Sequence, residues 1–272
     1  MLAAEKSKKT RHVLGISGGK DSAALAIYLK QQGRVPEMEY FFADTGVELP
    51  EVYSFVEKLE SWLGQPIVRL GSGKDFYHHL EMHEGMLPQA TRRWCTQEMK
   101  LKPLEKFIGD DEAITYIGIR ADEFRDGYLS LKSNVKPCYP FITDGLVRRD
   151  IFDILRSTVG IPEYYEWRSR SGCFFCFFQR RDEWVGLSER HPELFQKAME
   201  IEEGVNRRFS NLKKPYTWVR GMSLKELIAD AEAIKEKSAL RKAREKDPRS
   251  WQEILISDRQ DDENQACLVC SL

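Results

Sequence analysis

No stretch of these 272 residues approaches the run of roughly 18 or more apolar residues that a membrane-spanning helix needs. An excess of either charge is missing too: Lys and Arg number 42 against 43 Asp and Glu, a formal net charge of -1. A protein that grips duplex DNA unaided carries a clear basic excess, so any nucleic-acid contact here calls for a local patch or a partner protein. Met1 to His12 is charged and lacks the apolar centre of a signal peptide. It reads as a flexible lead-in, and the expected location is the cytoplasm, with no membrane partner. Cysteines are few: Cys95, Cys138, Cys173, Cys176, Cys267 and Cys270. In a chain this long without a secretion signal, they argue against a disulfide scaffold and for metal or thiol chemistry. Internal repeats are absent.

What is present is an alternation of short apolar runs with helical patterns. His12 to Ile16 can form a buried strand, and a Gly-rich turn then leads into a strong helix former from Ser22 to Leu29, closed by Gly33. Met38 to Ala43 predicts a second strand. Pro50 opens a helix with Val52, Phe55, Val56 and Leu59 at helical spacing. Pro66 to Leu70 and Ile114 to Ile119 predict two more strands, with a helical stretch from Thr96 to Ile108 between them. Strands alternating with helices predict an α/β fold with a doubly wound parallel sheet covered on both faces. Past about Asp122 the pattern turns helical and cysteine-bearing: Cys138 to Phe141 reads as a short extended or turn segment, and helices are expected at Arg149–Ser157, Ser188–Glu203 and Ser223–Glu245. The expected division is a nucleotide domain over 1–126, a helical, substrate-binding portion over 127–257 and a mobile tail with two cysteines over 258–272.

The Gly-rich turn carries the first chemistry. A Gly-Gly pair between strand and helix exposes consecutive backbone N–H groups at the positive end of the helix, a nest for phosphate. Lys20 adds a mobile charge for phosphate oxygens as a bond to a leaving pyrophosphate breaks, and Ser17 and Ser22 offer hydroxyls. The turn is not a Walker A loop, because Leu14 stands where its first Gly belongs and Asp21 follows the Gly-Lys. Asp44 ends the next strand, in the crevice region where open parallel sheets bind ligands, and is a candidate for steering a hydroxyl or Mg²⁺. An ordinary loop aspartate is the alternative.

Ile16-Ser17-Gly18-Gly19-Lys20-Asp21-Ser22 resembles the signature of the PP-loop ATP pyrophosphatases, and Phe42-Ala43-Asp44-Thr45-Gly46 with Pro50-Glu51 is similar to their sulfonucleotide-reductase branch. The resemblance implies a sheet of the adenine nucleotide α-hydrolase type. It implies nucleotide binding by Ser17, Gly18, Gly19, Lys20, Asp21, Ser22 and Asp44, with Lys20 and Asp44 catalytic. Gly118-Ile119-Arg120 resembles the family's later Gly-x-Arg and makes Arg120 a third catalytic candidate, a phosphate or substrate clamp. Most members cleave ATP between the α and β phosphates to form an adenylate; the reductases bind an already activated adenylyl sulfate.

Cys173-Phe174-Phe175-Cys176 puts two thiols within reach of one metal, and a redox pair or half a zinc site are the alternatives. Arg93-Trp94-Cys95-Thr96 with Lys100 and Pro103 resembles the iron–sulfur segment of adenylyl-sulfate reductases, and more closely the PP-loop proteins of DNA phosphorothioation systems. The reductases have a Cys-Cys pair there; this chain has Cys95 alone. The resemblance thus implies Cys95, Cys173 and Cys176 as ligands of a [4Fe–4S] cluster with one open iron, beside ATP and Mg²⁺. Cys138 is the alternative fourth ligand. Cys267 and Cys270 lack the Glu-Cys-Gly-x-His setting of the reductases' catalytic cysteine.

Arg168, Arg170, Arg180 and Arg181 flank the cysteine pair among Trp167, Phe174 and Trp184, the composition of a strand-binding surface or of a core with ion pairs. The resulting expectation is an ATP-using, adenylate-forming sulfurtransferase that modifies the DNA backbone, with a cysteine desulfurase as sulfur donor and partner modification proteins on the DNA. The alternatives are a sulfonucleotide reductase using thioredoxin, a tRNA-thiolating enzyme, and a non-enzymatic DNA-binding or scaffold subunit.

Overall fold

The computed structural model describes residues 10–35, 37–123, 132–211 and 215–245. Five parallel strands, β1 (Arg11–Gly15), β2 (Met38–Ala43), β3 (Ile67–Leu70), β4 (Ala113–Tyr116) and β5 (Val135–Cys138), lie in the order β3-β2-β1-β4-β5. The fold is the expected doubly wound α/β sheet with a helical region bearing cysteines. Its faces follow from the two-residue period of a strand. Leu14, Ile16, Tyr40, Phe42 and Tyr116 enter the larger core, whereas Val13, Phe41, Ala113 and Ile117 enter a second core with Leu104 and Ile108.

The helices α1 (Lys20–Gln32), α2 (Pro50–Leu63) and α3 (Phe76–Met82) precede a helical stretch built of α4 (Trp94–Thr96), one π turn (Gln97–Leu101) and α5 (Lys102–Ile108). Helix α1 is buried on nearly every side by Ala23, Ala24, Leu25, Ala26, Ile27 and Leu29, so small residues predominate where the sheet and other helices close in. One of those neighbours is α7 (Arg148–Arg156), which follows α6 (Pro140–Thr143).

Beyond a 3-10 turn (Glu163–Glu166) come α8 (Arg181–Arg190), α9 (Pro192–Arg208), α10 (Leu224–Ala229) and α11 (Ala231–Glu245). Two single-helix expectations each become two helices. Pro192 cannot donate to the preceding turn and starts α9 afresh, and the chain turns again at Asp230. Of the extended or turn segment expected from Cys138, Cys138 itself is extended, the end of β5, an edge strand that tolerates Pro137 because only one side is paired. Among the described residues, no helix is long and apolar enough to cross a membrane.

Strand order fixes where a ligand belongs. From β1 the chain runs outward to β2 and β3, then returns to the other side of β1 for β4. The reversal opens a crevice beyond the carboxyl ends of β1 and β4. The Gly-rich turn leaves β1 there, and Arg120 follows β4.

Candidate nucleotide site

The turn between β1 and α1 is closed by its own hydroxyls. Ser17 N–H donates to Ser22 Oγ at 3.1 Å, and Gly19 N–H donates to Ser17 Oγ at 3.3 Å. Gly18 has φ +72°, and a Cβ on it would lie 2.5 Å from Val52 Cγ1 of α2, so only glycine fits. A Cβ on Gly19 would lie 2.8 Å from Ser171 Oγ.

A distant segment clamps the same turn. Tyr164 Oη donates to Gly18 O at 2.6 Å, and Lys20 N–H donates to Tyr165 Oη at 3.0 Å. Tyr164, Tyr165 and Ser171 were not picked out from the sequence. They lie about 145 positions away from the loop they touch, and adjacent tyrosines carry no motif; only the fold brings them in.

Charge is concentrated at Asp21. Its carboxylate meets Lys20 Nζ at 3.1 Å and Arg120 Nη1 at 3.0 Å, which ties the loop to the end of β4. Arg120 is 4% exposed, and Asp122 and Glu123 face it as well, at 2.9 and 3.7 Å. Its guanidinium therefore positions Asp21 in this structure. Asp44 accepts from Gly46 N–H and from Tyr53 Oη, each at 2.9 Å, and so shapes the turn after β2.

That turn holds a buried carboxyl the sequence reading passed over. Glu48 accepts from Thr45 Oγ1 at 2.6 Å and from Tyr53 Oη at 3.1 Å. Burial pushes its carboxyl above the usual range, against the opposing pull of Lys100. The cysteine segment zips onto the same turn: Phe174 N–H donates to Val47 O at 2.9 Å, and Cys173 Sγ lies 3.4 Å from Thr45 Oγ1. Ser17, Glu48, Lys100, Ser171 and Gly172 line the resulting crevice.

Cys95, Cys173 and Cys176 do line one cavity together, next to the crevice and sharing Lys100 and Gly172 with it. The expected cofactor set of ATP, Mg²⁺ and a [4Fe–4S] cluster is nevertheless corrected. Among the described residues, no group of three or more His, Cys, Asp or Glu side chains is placed to hold a metal ion. Mg²⁺ and iron alike therefore lack a ligand set there, and no contact singles out ATP. The cavity encloses only about 40 Å³, room for a few waters at most. Burial, reinforced by Glu48, pushes the Cys173 thiol up. Cys138, at the end of β5, packs against the larger core; Cys267 and Cys270 lie outside the described residues.

The arginine and aromatic run divides as well. Arg168 is 2% exposed and donates to Gly172 O and Cys173 O, while Phe174 and Trp184 belong to the core. These three support the cysteine loop rather than a surface.

A family model described as the phosphoadenosine phosphosulfate reductase domain matches residues 11–131. An uncharacterised nin region protein of Escherichia phage lambda is 30% identical over 221 residues, 69% of this chain and 72% of that protein. The chain belongs to the phosphoadenosine phosphosulfate reductase domain family. The matched residues take in the Gly-rich loop, Asp44, Cys95 and Arg120, so the family segment supplies most of the crevice. Two uncharacterised proteins of Methanocaldococcus jannaschii are 31% and 27% identical over 208 residues each, covering 71% and 72% of this chain. The chain spans less than half of either, 41% and 48%. A crystal structure of phosphoadenylyl-sulfate reductase from Candida auris in a phosphate complex is similar with a TM-score of 0.47 and 12% identity, over 61% of this chain and 82% of that one.

Proposed function

We propose that the crevice binds an adenylyl nucleotide, with its phosphates on the 17–22 loop, and that the protein is an AMP-forming enzyme. The observation that carries the reading is the loop itself, held at a helix N-terminus beside Lys20 and at the point where strand order reverses. Lys20 neutralises charge on the leaving phosphate, and Asp21 sets the direction from which Lys20 does so.

In the fuller form of the proposal, ATP is a substrate. A backbone phosphate oxygen of DNA attacks the α phosphorus, and pyrophosphate leaves. A thiol reductant releases hydrosulfide from the persulfide of a cysteine desulfurase partner and is itself oxidised to a disulfide. The hydrosulfide then attacks the adenylated backbone phosphorus, and AMP leaves with the displaced oxygen. The family match favours a second reading, in which the same loop holds a phosphoadenylyl or adenylyl sulfate, thioredoxin supplies two electrons, and the products are sulfite and adenosine 3',5'-bisphosphate or AMP. Product analysis with α-labelled ATP, with and without DNA and a desulfurase, tests the first form. Pyrophosphate and AMP release stimulated by DNA is the expected result. No ATP turnover, with sulfite released from adenylyl sulfate when thioredoxin is supplied, replaces it with the second reading.

A further inference from the structure

A cleft of about 710 Å³ opens between residues 177–182, the 219–222 turn and α11. Five basic side chains line it, Arg180, Arg181, Arg220, Lys237 and Arg241, against two acidic ones, Asp182 and Asp230. This local excess of three positive charges belongs to a chain whose net charge is -1. Asp182 is already engaged, since Arg241 lies 3.2 Å and Arg180 3.7 Å from it. Arg181, Arg220 and Lys237 are exposed, and no ion pair forms at any of them among the described residues. They stand on three separate elements, so the positive field runs along the cleft. The aromatic wall comes from Phe177 and Phe178, half-buried rings with centroids 4.4 Å apart.

The cleft is also connected. Phe177 and Phe178 line the cysteine cavity as well as the cleft, and Lys100 and Gly172 line both that cavity and the nucleotide crevice. Shared walls therefore place the basic cleft, the cysteine cavity and the crevice lined by Ser17 side by side.

We propose that this cleft binds a single-stranded nucleic-acid segment, with phosphates on Arg181, Arg220 and Lys237 and a base against Phe177 and Phe178. Resting on the nucleotide reading of the crevice, the proposal makes the strand the acceptor class of that site. Spaced cations that track a backbone, together with accessible aromatic rings, are what unpaired strands use. A stacked duplex does not offer a base face to a concave wall, and an acidic peptide has no ring to stack.

The test is fluorescence anisotropy of a labelled oligothymidylate of about twenty nucleotides with the full chain, between about 50 and 200 mM salt. The comparison protein carries Arg181→Glu, Arg220→Glu and Lys237→Glu together, all at exposed positions. The wild type is expected to bind, the triple variant about tenfold or more weakly, with a salt slope smaller by about two. Phe178→Ala is expected to weaken binding without changing that slope. Equal affinity of wild type and triple variant, or a wild type that binds polyglutamate and not the strand, overturns the proposal. Adenylyl-nucleotide binding is read on the same samples. Nucleotide binding without strand binding overturns the cleft assignment alone. Strand binding lost in the triple variant, with no nucleotide bound by either protein, sustains the cleft and removes the crevice reading.

Discussion

Gly18→Ala is expected to abolish nucleotide binding and to lower the melting temperature by roughly 5–15 °C. Two costs combine. A side chain at φ +72° costs about 1–2 kcal/mol. The added methyl would also lie 2.5 Å from Val52 Cγ1, and Val52 is fully buried in α2, so relief requires moving a helix and costs about 1–3 kcal/mol more. Whichever way the chain yields, the N–H groups of the nest turn away from a phosphate. Thermal unfolding followed by circular dichroism, with nucleotide titration below the transition, checks both parts. An unchanged melting temperature would mean that the turn is looser than described.

Asp21→Ala is expected to cost about 3 kcal/mol at neutral pH, the lower end for breaking a buried ion pair. Lys20 loses its carboxylate, whereas Arg120 keeps Asp122 and Glu123. The effect has a definite pH sign. Burial by itself would raise the Asp21 carboxyl, but Lys20 and Arg120 outweigh it and hold the carboxyl below its ordinary range. A group with a depressed folded pKa contributes stability above its unfolded pKa, near 4 on the usual scale for aspartate, and loses it as pH falls through the folded value. Urea unfolding of wild type and variant should therefore differ by a constant amount above about pH 5 and converge in more acidic solution. A gap that widens on acidification would contradict the assigned pairing.

Much of the sheet was legible because its strands obey local rules. Met38–Ala43 and Pro50 announce themselves through an apolar run and a helix-opening proline, and the loop through Gly-Gly before a helix. The fifth strand was not legible, since Lys136 and Pro137 break the apolar run and only pairing with β4 makes it a strand. The site was legible in part. Ser17 to Ser22, Asp44 and Arg120 gather at the carboxyl end of the sheet, but Arg120 serves Asp21, and Asp44 serves its own turn. Contacts from far along the chain supply the remainder: Tyr164, Tyr165 and Ser171 close the loop, and Glu48 holds the cysteine segment. The metal expectation failed for a related reason. Spacing brings cysteines to one cavity, but whether three ligands converge on one point is set by packing, and among the described residues none do.

Nucleotide binding by wild type and Lys20→Met tests the central claim most directly. Methionine keeps all but the last atom of the unbranched side chain and removes its charge, and Arg120 still faces Asp21. Calorimetric titration with ATP and with adenylyl sulfate should show binding of at least one by the wild type. Lys20→Met should bind that nucleotide about 10- to 100-fold more weakly, as expected for one lost charge-assisted contact. Equal affinities, or a wild type that binds neither nucleotide, would contradict the placement of a phosphate on this loop.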